Sequence, residues 1–174
     1  MACDPFSPTD EYVRGFTHRV RPGQYPVRLA LGEYEDGDRR IGLAQIVITD
    51  QPVTRWEFAL TIGQSPASID PDYDIGYYVN GALGCFADEL HLEKLFLTSQ
   101  DQGGMRLFNE VSENEGETYS WKNLGLEVGD SGDVALFSSG DGDGCYPTYI
   151  GFDEAGRVTS FVTDFYVFGI LVPD

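Results

Sequence analysis

Two runs of strand-forming residues, Tyr146 to Phe152 and Arg157 to Val172, stand on either side of Asp153-Glu154-Ala155-Gly156. So short a connection joins its strands as an antiparallel hairpin, because parallel neighbours need a crossover of about a dozen residues or more. Antiparallel pairing in turn decides which residues meet. With the turn as pivot, Cys145 to Thr148 comes alongside Thr163 to Phe165, and Asp143 and Asp164 are expected at the same end of the sheet.

The same logic runs through most of the chain. In Tyr25 to Leu31 the larger apolar residues alternate at period two, Asp36-Gly37 supplies a hairpin turn, and Ile41 to Thr49 is apolar almost throughout, as a central strand is. Val53 to Ile62 reads as the partner of that central strand. Thr54, Trp56, Phe58 and Leu60 would share one face and Arg55 and Glu57 the other, leaving one face of the sheet polar. Asp133 to Ser139 is a further strand. Ser7-Pro8-Thr9-Asp10 has the form of a capping box that opens one or two helical turns, and Gly63 to Tyr73 is a loop by composition. The main helix is expected at Asp88 to Ser99, with Leu92, Leu95 and Phe96 on one side and Leu90 and Leu97 nearly opposite; a short element follows at Met105 to Val111. The expected fold is therefore a β-rich α+β domain spanning residues 1–174, a twisted, mainly antiparallel sheet or sandwich with one principal helix.

Charge narrows the range of partners. The 174 residues carry 29 carboxylates against 11 lysines and arginines, a net charge of -18. Nucleic acid and anionic membrane have the same sign and are repelled over a screening length of about 8 Å at physiological salt, so neither is an expected partner. A basic protein or a bound cation is favoured instead. Cys3, Cys85 and Cys145 form no Cys-x-x-Cys pair, and only His18 and His91 could complete a zinc set, which argues against a disulfide framework or a structural zinc. No apolar stretch approaches the roughly 20 residues that cross a bilayer, and the first residues lack the basic and apolar segments of a secretion signal. A reduced, cytoplasmic protein is expected.

The densest concentration of chemically useful residues is Ser138-Ser139-Gly140-Asp141-Gly142-Asp143-Gly144-Cys145-Tyr146-Pro147-Thr148, with Val162-Thr163-Asp164-Phe165 as its hairpin neighbour. Glycines such as Gly142 and Gly144 let the backbone take positive φ or approach another group closely, while the aspartates supply charge at the same place. Asp143 and Asp164 are the candidate ligands for a hard divalent cation, Ca²⁺ or Mg²⁺, which takes carboxylate and carbonyl oxygens. No recognised motif demands a cofactor: the loop is no EF-hand, since no glutamate follows at the required distance and its flanks read as strands. Glu57 with Asp143 or Asp164 is a candidate acid/base pair. The plainer alternatives are that Asp143 orders its own turn, Asp88 caps the helix that begins there, Asp4 sits in a turn before proline, and Glu57 pairs with Arg55 or a neighbouring arginine. Tyr77, Tyr78, Tyr146 and Tyr149 either stack on a ligand near the loop or fill a sheet face. Dense acid around the cysteines raises a thiol pKa, so buried inert thiols are expected rather than a nucleophile.

Taken in order, Ala2-Cys3-Asp4-Pro5, Pro22-Gly23-Gln24-Tyr25-Pro26-Val27, Arg55-Trp56-Glu57, Gly81-Ala82-Leu83-Gly84-Cys85-Phe86-Ala87-Asp88, the run Phe137 to Pro147, and Thr163-Asp164-Phe165 resemble an uncharacterised bacterial family catalogued as domain of unknown function 4241. The resemblance implies a shared site that includes Asp4, Glu57, Asp88, Asp143 and Asp164, but supplies no reaction. It differs in three places. A strand usual before the Ala-Cys-Asp-Pro string has no counterpart, so that strand is either dispensable here or leaves a sheet edge available to a partner; Asn80 stands where an aspartate is common; and position 141 varies. Two functions follow. The first is an acidic, soluble binding protein of immunity or inhibitor type that recognises a basic protein. The second is a small enzyme or ligand-binding domain, for instance a hydrolase, with a carboxylate or divalent-cation site at the glycine-rich loop that includes Asp143, Asp164, Gly142, Gly144 and Tyr146.

Overall fold

The structure, a computed structural model, describes residues 1–9, 13–68, 76–113, 119–126 and 133–169. Eleven strands are described: β1 (Ala2–Cys3), β2 (Val27–Glu33), β3 (Arg39–Val47), β4 (Arg55–Phe58), β5 (Tyr77–Val79), β6 (Leu83–Ala87), β7 (Trp121–Leu124), β8 (Val134–Ser138), β9 (Gly144–Tyr146), β10 (Thr148–Phe152) and β11 (Val158–Asp164). The principal helix is α1 (Leu92–Gln100), entered through a 3-10 turn at Glu89–His91, and a shorter helix, α2 (Arg106–Ser112), follows it. This is a β-rich α+β fold of mainly antiparallel sheets, with no closed barrel among the described residues.

The β10–β11 hairpin forms in the expected register, with Thr148 opposite Thr163 and their hydroxyls 2.9 Å apart. Its turn closes by hydrogen bonds between Asp153 and Arg157, and the Asp153 carboxylate also accepts from the Arg157 backbone and guanidinium. Opposite Gly151 the ladder slips by one residue and Thr159 is left unpaired, a β-bulge that turns the strand. The Asp36-Gly37 turn joins β2 to β3 as expected, and β3 is an interior strand, next to the central β11, in a five-stranded sheet ordered β2-β3-β11-β10-β4.

In one respect the sheet departs from the sequence pattern: β4 pairs with β10 rather than with β3. The hairpin β10–β11 inserts between them because β3 finds β11 as its second neighbour, so strands adjacent in sequence end three places apart. As an edge strand β4 is exposed on both sides. Trp56 remains 48% exposed, while Arg55, opposite Phe152 in the register, lays its guanidinium 4.6 Å over the Phe152 ring. The partition into a polar and an apolar face therefore fails at this strand.

A second sheet, ordered β1-β6-β8-β7, forms the middle layer. Alternate residues of β6 and β8 face opposite ways. Leu83, Cys85, Ala87, Val134 and Leu136 pack with Leu95 of α1 and Leu107 and Val111 of α2, whereas Phe86 and Phe137 pack with Ile41, Ala44 and Phe165 beneath the five-stranded sheet. Both faces being covered, every residue of β6 is buried. The rest of the five-stranded sheet's inner face is covered by the segment around Phe16, whose ring stacks on Phe161 at 5.2 Å. Pro5 to Thr9 form turns; the rest of the expected capping-box helix falls partly on residues 10–12, outside the described residues.

Candidate functional site at the glycine-rich loop

The loop begins where β8 ends. Ser139 to Gly142 close a tight turn, with the Gly142 N–H donating to the Ser139 carbonyl at 2.8 Å and the Ser139 hydroxyl donating to the Gly142 carbonyl at 2.7 Å. The Tyr146 hydroxyl folds back onto the same turn, 2.8 Å from the Gly142 carbonyl and 3.2 Å from that of Ser139. Gly142 has φ +118°, a backbone state that side chains rarely adopt, and a Cβ at Gly144 would lie 2.9 Å from the Tyr146 ring. Gly144 also pairs with Val79, so β9 and β5 form a two-stranded ribbon. Pro147, with no N–H to continue a ladder, stands where the chain leaves that ribbon for the five-stranded sheet.

Two aspartates far apart in sequence hold the opposite wall. Asp143 accepts from the Ala82 N–H at 2.9 Å; Asp4, only 2% exposed, accepts from the Asn80 N–H at 2.9 Å and from the Phe6 N–H at 2.7 Å. Burial lifts the Asp4 carboxyl above the ordinary carboxylate range; the backbone donors of Asn80 and Phe6 oppose this and the nearby Asp143 charge adds to it. Ala82 itself has φ +53°, and Tyr166, on the other side of the loop, has φ +61°. Such backbone costs about 1–3 kcal/mol per residue and persists only where surrounding contacts enforce it. A third tie crosses from the β2–β3 hairpin, where the Tyr34 hydroxyl donates to the Asp141 carboxylate at 3.0 and 3.1 Å. That hydrogen bond is the main cause of a raised Tyr34 pKa; in Tyr146 burial comes first, followed by the charges of Asp141 and Asp143.

The structure thus gathers Gly142, Asp143, Gly144 and Tyr146, and adds Asp4, which local sequence places only in a turn. The other candidates serve separate structures. Asp164 accepts from the Tyr166 N–H at 2.8 Å, Asp88 caps the helix by accepting from the Leu90 N–H at 2.9 Å, and Glu57 pairs with Arg55 at 3.0 Å. Tyr78 is 65% exposed on β5, and Tyr149 stacks on Phe58 at 5.0 Å. Among the described residues no three His, Cys, Asp or Glu side chains are grouped as a metal ion would require. A cavity of about 140 Å³ lies at the other end of β11 from Asp164, around the Thr159 bulge, lined in part by Arg28, Gln45, Asp50 and Ser160. Chemically, the loop is an assembly of carboxylates and hydroxyls turned inward onto backbone groups, with Asp141 and Tyr34 on its exposed rim.

No curated protein and no solved structure matches the chain. The family described as "Protein of unknown function (DUF4241)" matches residues 1–163, a span that includes every strand bounding the loop. The chain belongs to that family.

Proposed function

We propose that the protein is a non-catalytic binding protein of immunity or inhibitor type, working in the cytoplasm, that recognises a basic protein partner through its acidic surface. The observation that supports this is how the charges are spent. Of the 11 cations, eight already face a carboxylate of the same chain: Arg19 with Glu89, Arg28 with Asp50, Arg39 with Glu33, Arg40 with Asp38, Arg55 with Glu57, Arg106 with Asp101, Lys122 with Glu110 and Glu113, and Arg157 with Asp153. With 29 acids against 11 cations in all, the charge left over is negative however the pairs are made. Such a surface speeds association with a cationic protein and opposes association with its own kind. The motif aspartates, by contrast, are occupied with backbone N–H groups, which fits a frame better than a reaction centre.

The test is recovery of partners by crosslinking in the source cells' extract at about 0.05 M and about 1 M salt, between which the screening length falls to about 3 Å. A basic protein recovered only at the lower concentration supports the proposal. Recovery of a neutral or acidic protein regardless of salt overturns it.

A further inference from the structure

The cavity at the far end of β11 owes its floor to an irregularity in that strand. In a regular strand Thr159 and Ser160 would point to opposite faces of the sheet. The bulge at Thr159 lets both side chains line the same hollow, about 140 Å³ in volume, on the face opposite the core residues Ile46 and Phe161. Thr159 is 1% exposed and Ser160 2%, and neither hydroxyl has a hydrogen-bond partner among the described residues. Buried polar side chains are nearly always hydrogen-bonded, so two adjacent exceptions against one cavity call for a partner from outside the chain. The Thr159 carbonyl accepts from the N–H groups of both Ile48 and Thr49, at 2.7 and 3.0 Å, which ties the chain leaving β3 to the rim, where Thr49 and Asp50 also line the cavity.

The donors decide what that partner is. Arg28 stands opposite Gln45 across β2 and β3, and Val47, two residues on, stands opposite Ser160, so guanidinium, amide and hydroxyl share one face. The Thr49 oxygen already accepts from the Gln51 N–H at 3.3 Å, which leaves its proton to donate. Three hydroxyls, an amide and a guanidinium thus have protons to offer, while the carboxylate at the rim, that of Asp50, is 94% exposed. Asp50 lies 3.9 Å from the Arg28 guanidinium, beyond hydrogen-bonding range, and a pair so exposed holds it weakly. The hollow is also large for one bridging water, which needs only about 10–15 Å³. We propose that this cavity binds a small oxyanion, the carboxylate or phosphate group of a compact solute, held by the Arg28 guanidinium and the hydroxyls of Thr49, Thr159 and Ser160. Hydroxyls turn about a single bond, so Thr159 and Ser160 can each swing a proton onto the bound oxygens. The net charge of -18 opposes an anion at long range but is screened over about 8 Å, whereas the donors act at contact. The site is separate from the glycine-rich loop and does not rest on the binding function above.

Inorganic phosphate and acetate test it, each titrated into wild type, into Arg28→Gln and into a Thr159→Val, Ser160→Ala double variant, with amide shifts read by nuclear magnetic resonance. The expected result is saturable binding of at least one of the two to wild type, with shifts centred on Arg28, Thr49, Thr159 and Ser160, and at least tenfold weaker binding in both variants. Saturation by phosphate alone would assign the site to phosphorylated solutes, and by acetate alone to carboxylates. Without ligand the double variant should melt at or above the wild-type midpoint, because it removes hydroxyls that have no partner and nearly keeps their shapes. Arg28 is largely exposed, so Arg28→Gln keeps the fold and reads the site independently. Absence of saturable binding by either ion overturns the proposal, as does binding of equal strength in all three proteins, which would put the anion elsewhere. A double variant that melts well below wild type would show that water already satisfies both hydroxyls, and overturns it too.

Discussion

The sulfurs of Cys3 and Cys85 stand 3.4 Å apart, on residues directly opposite each other in the β1–β6 ladder, and neither residue is exposed to solvent. Burial, then the neighbouring Cys3, pushes the Cys85 thiol well above its ordinary pKa, so little of the reactive thiolate exists at neutral pH. An aromatic disulfide reagent applied to the native protein should modify no thiol but the half-buried Cys145. All three should react after unfolding. Reaction of Cys3 or Cys85 at the rate of Cys145 would mean that β1 leaves the sheet readily.

Asp143→Ala removes the acceptor for the Ala82 N–H and should cost about 1 kcal/mol, as removal of other side chains that cap backbone donors does. At this length that is a fall of about 2–4 °C in the melting midpoint. Asp143→Asn keeps an acceptor oxygen and should lie close to wild type. Were Ca²⁺ or Mg²⁺ to raise the wild-type midpoint and not that of Asp143→Asn, the loop would be a cation site and its structural account would fail.

Asp4 and Asp153 should respond to acid in opposite directions. The folded-state pKa of Asp4 is raised by burial, so the native state takes up a proton before the unfolded chain does, and stability from this group is greatest in acid and declines as pH rises through the raised value. Asp153 is lowered, chiefly by the Arg157 backbone N–H and then by its guanidinium; its contribution is present above the unfolded pKa and disappears as pH falls through the lower folded value. Denaturant midpoints measured from neutral pH downward should therefore fall less for Asp153→Asn than for wild type. An acid profile unchanged by that substitution would remove Asp153 from the account.

Gly140 and Gly37 both have positive φ, +54° and +88°, but only Gly140 is enclosed: a Cβ there would lie 2.8 Å from the Phe165 Cβ and 2.9 Å from the Phe165 carbonyl, whereas at Gly37 nothing lies within 4 Å. Gly37→Ala should cost about 1–2 kcal/mol from the left-handed backbone. Gly140→Ala adds overpacking of about 1–3 kcal/mol to a similar backbone term. Equal unfolding free energies for the two variants would show that the loop gives way under Phe165.

The hairpins were legible because their signals are local: Asp-Gly at residues 36–37 and Asp-Glu-Ala-Gly at 153–156 each punctuate period-two runs, and Asp88 announces the helix that it caps. What the sequence left out was non-local or short. β1 is two residues long and has no period to detect, and β7 has four residues without clear alternation. The misplacement of β4 has the same origin, since nothing near Val53 reports that a hairpin almost a hundred residues later will take its expected neighbour. The site was half visible for that reason too. The loop's own turn could be inferred from its glycines, and Asp4 reaching Asn80 across 76 residues could not.

β6 runs from the Ala82 turn, which Asp143 and Asp4 hold, to Asp88, which caps the 3-10 turn leading into α1. Its five residues span about 17 Å at strand spacing, each of them buried, with packed layers on both sides and β1 and β8 along its edges. The strand is paired along its whole length by β8 and over Cys85 and Phe86 by β1, one end in the glycine-rich rim and the other in the helical layer. The glycine-rich rim and the helical layer thus meet the two ends of a single buried strand, with no loop between them to take up a difference in length.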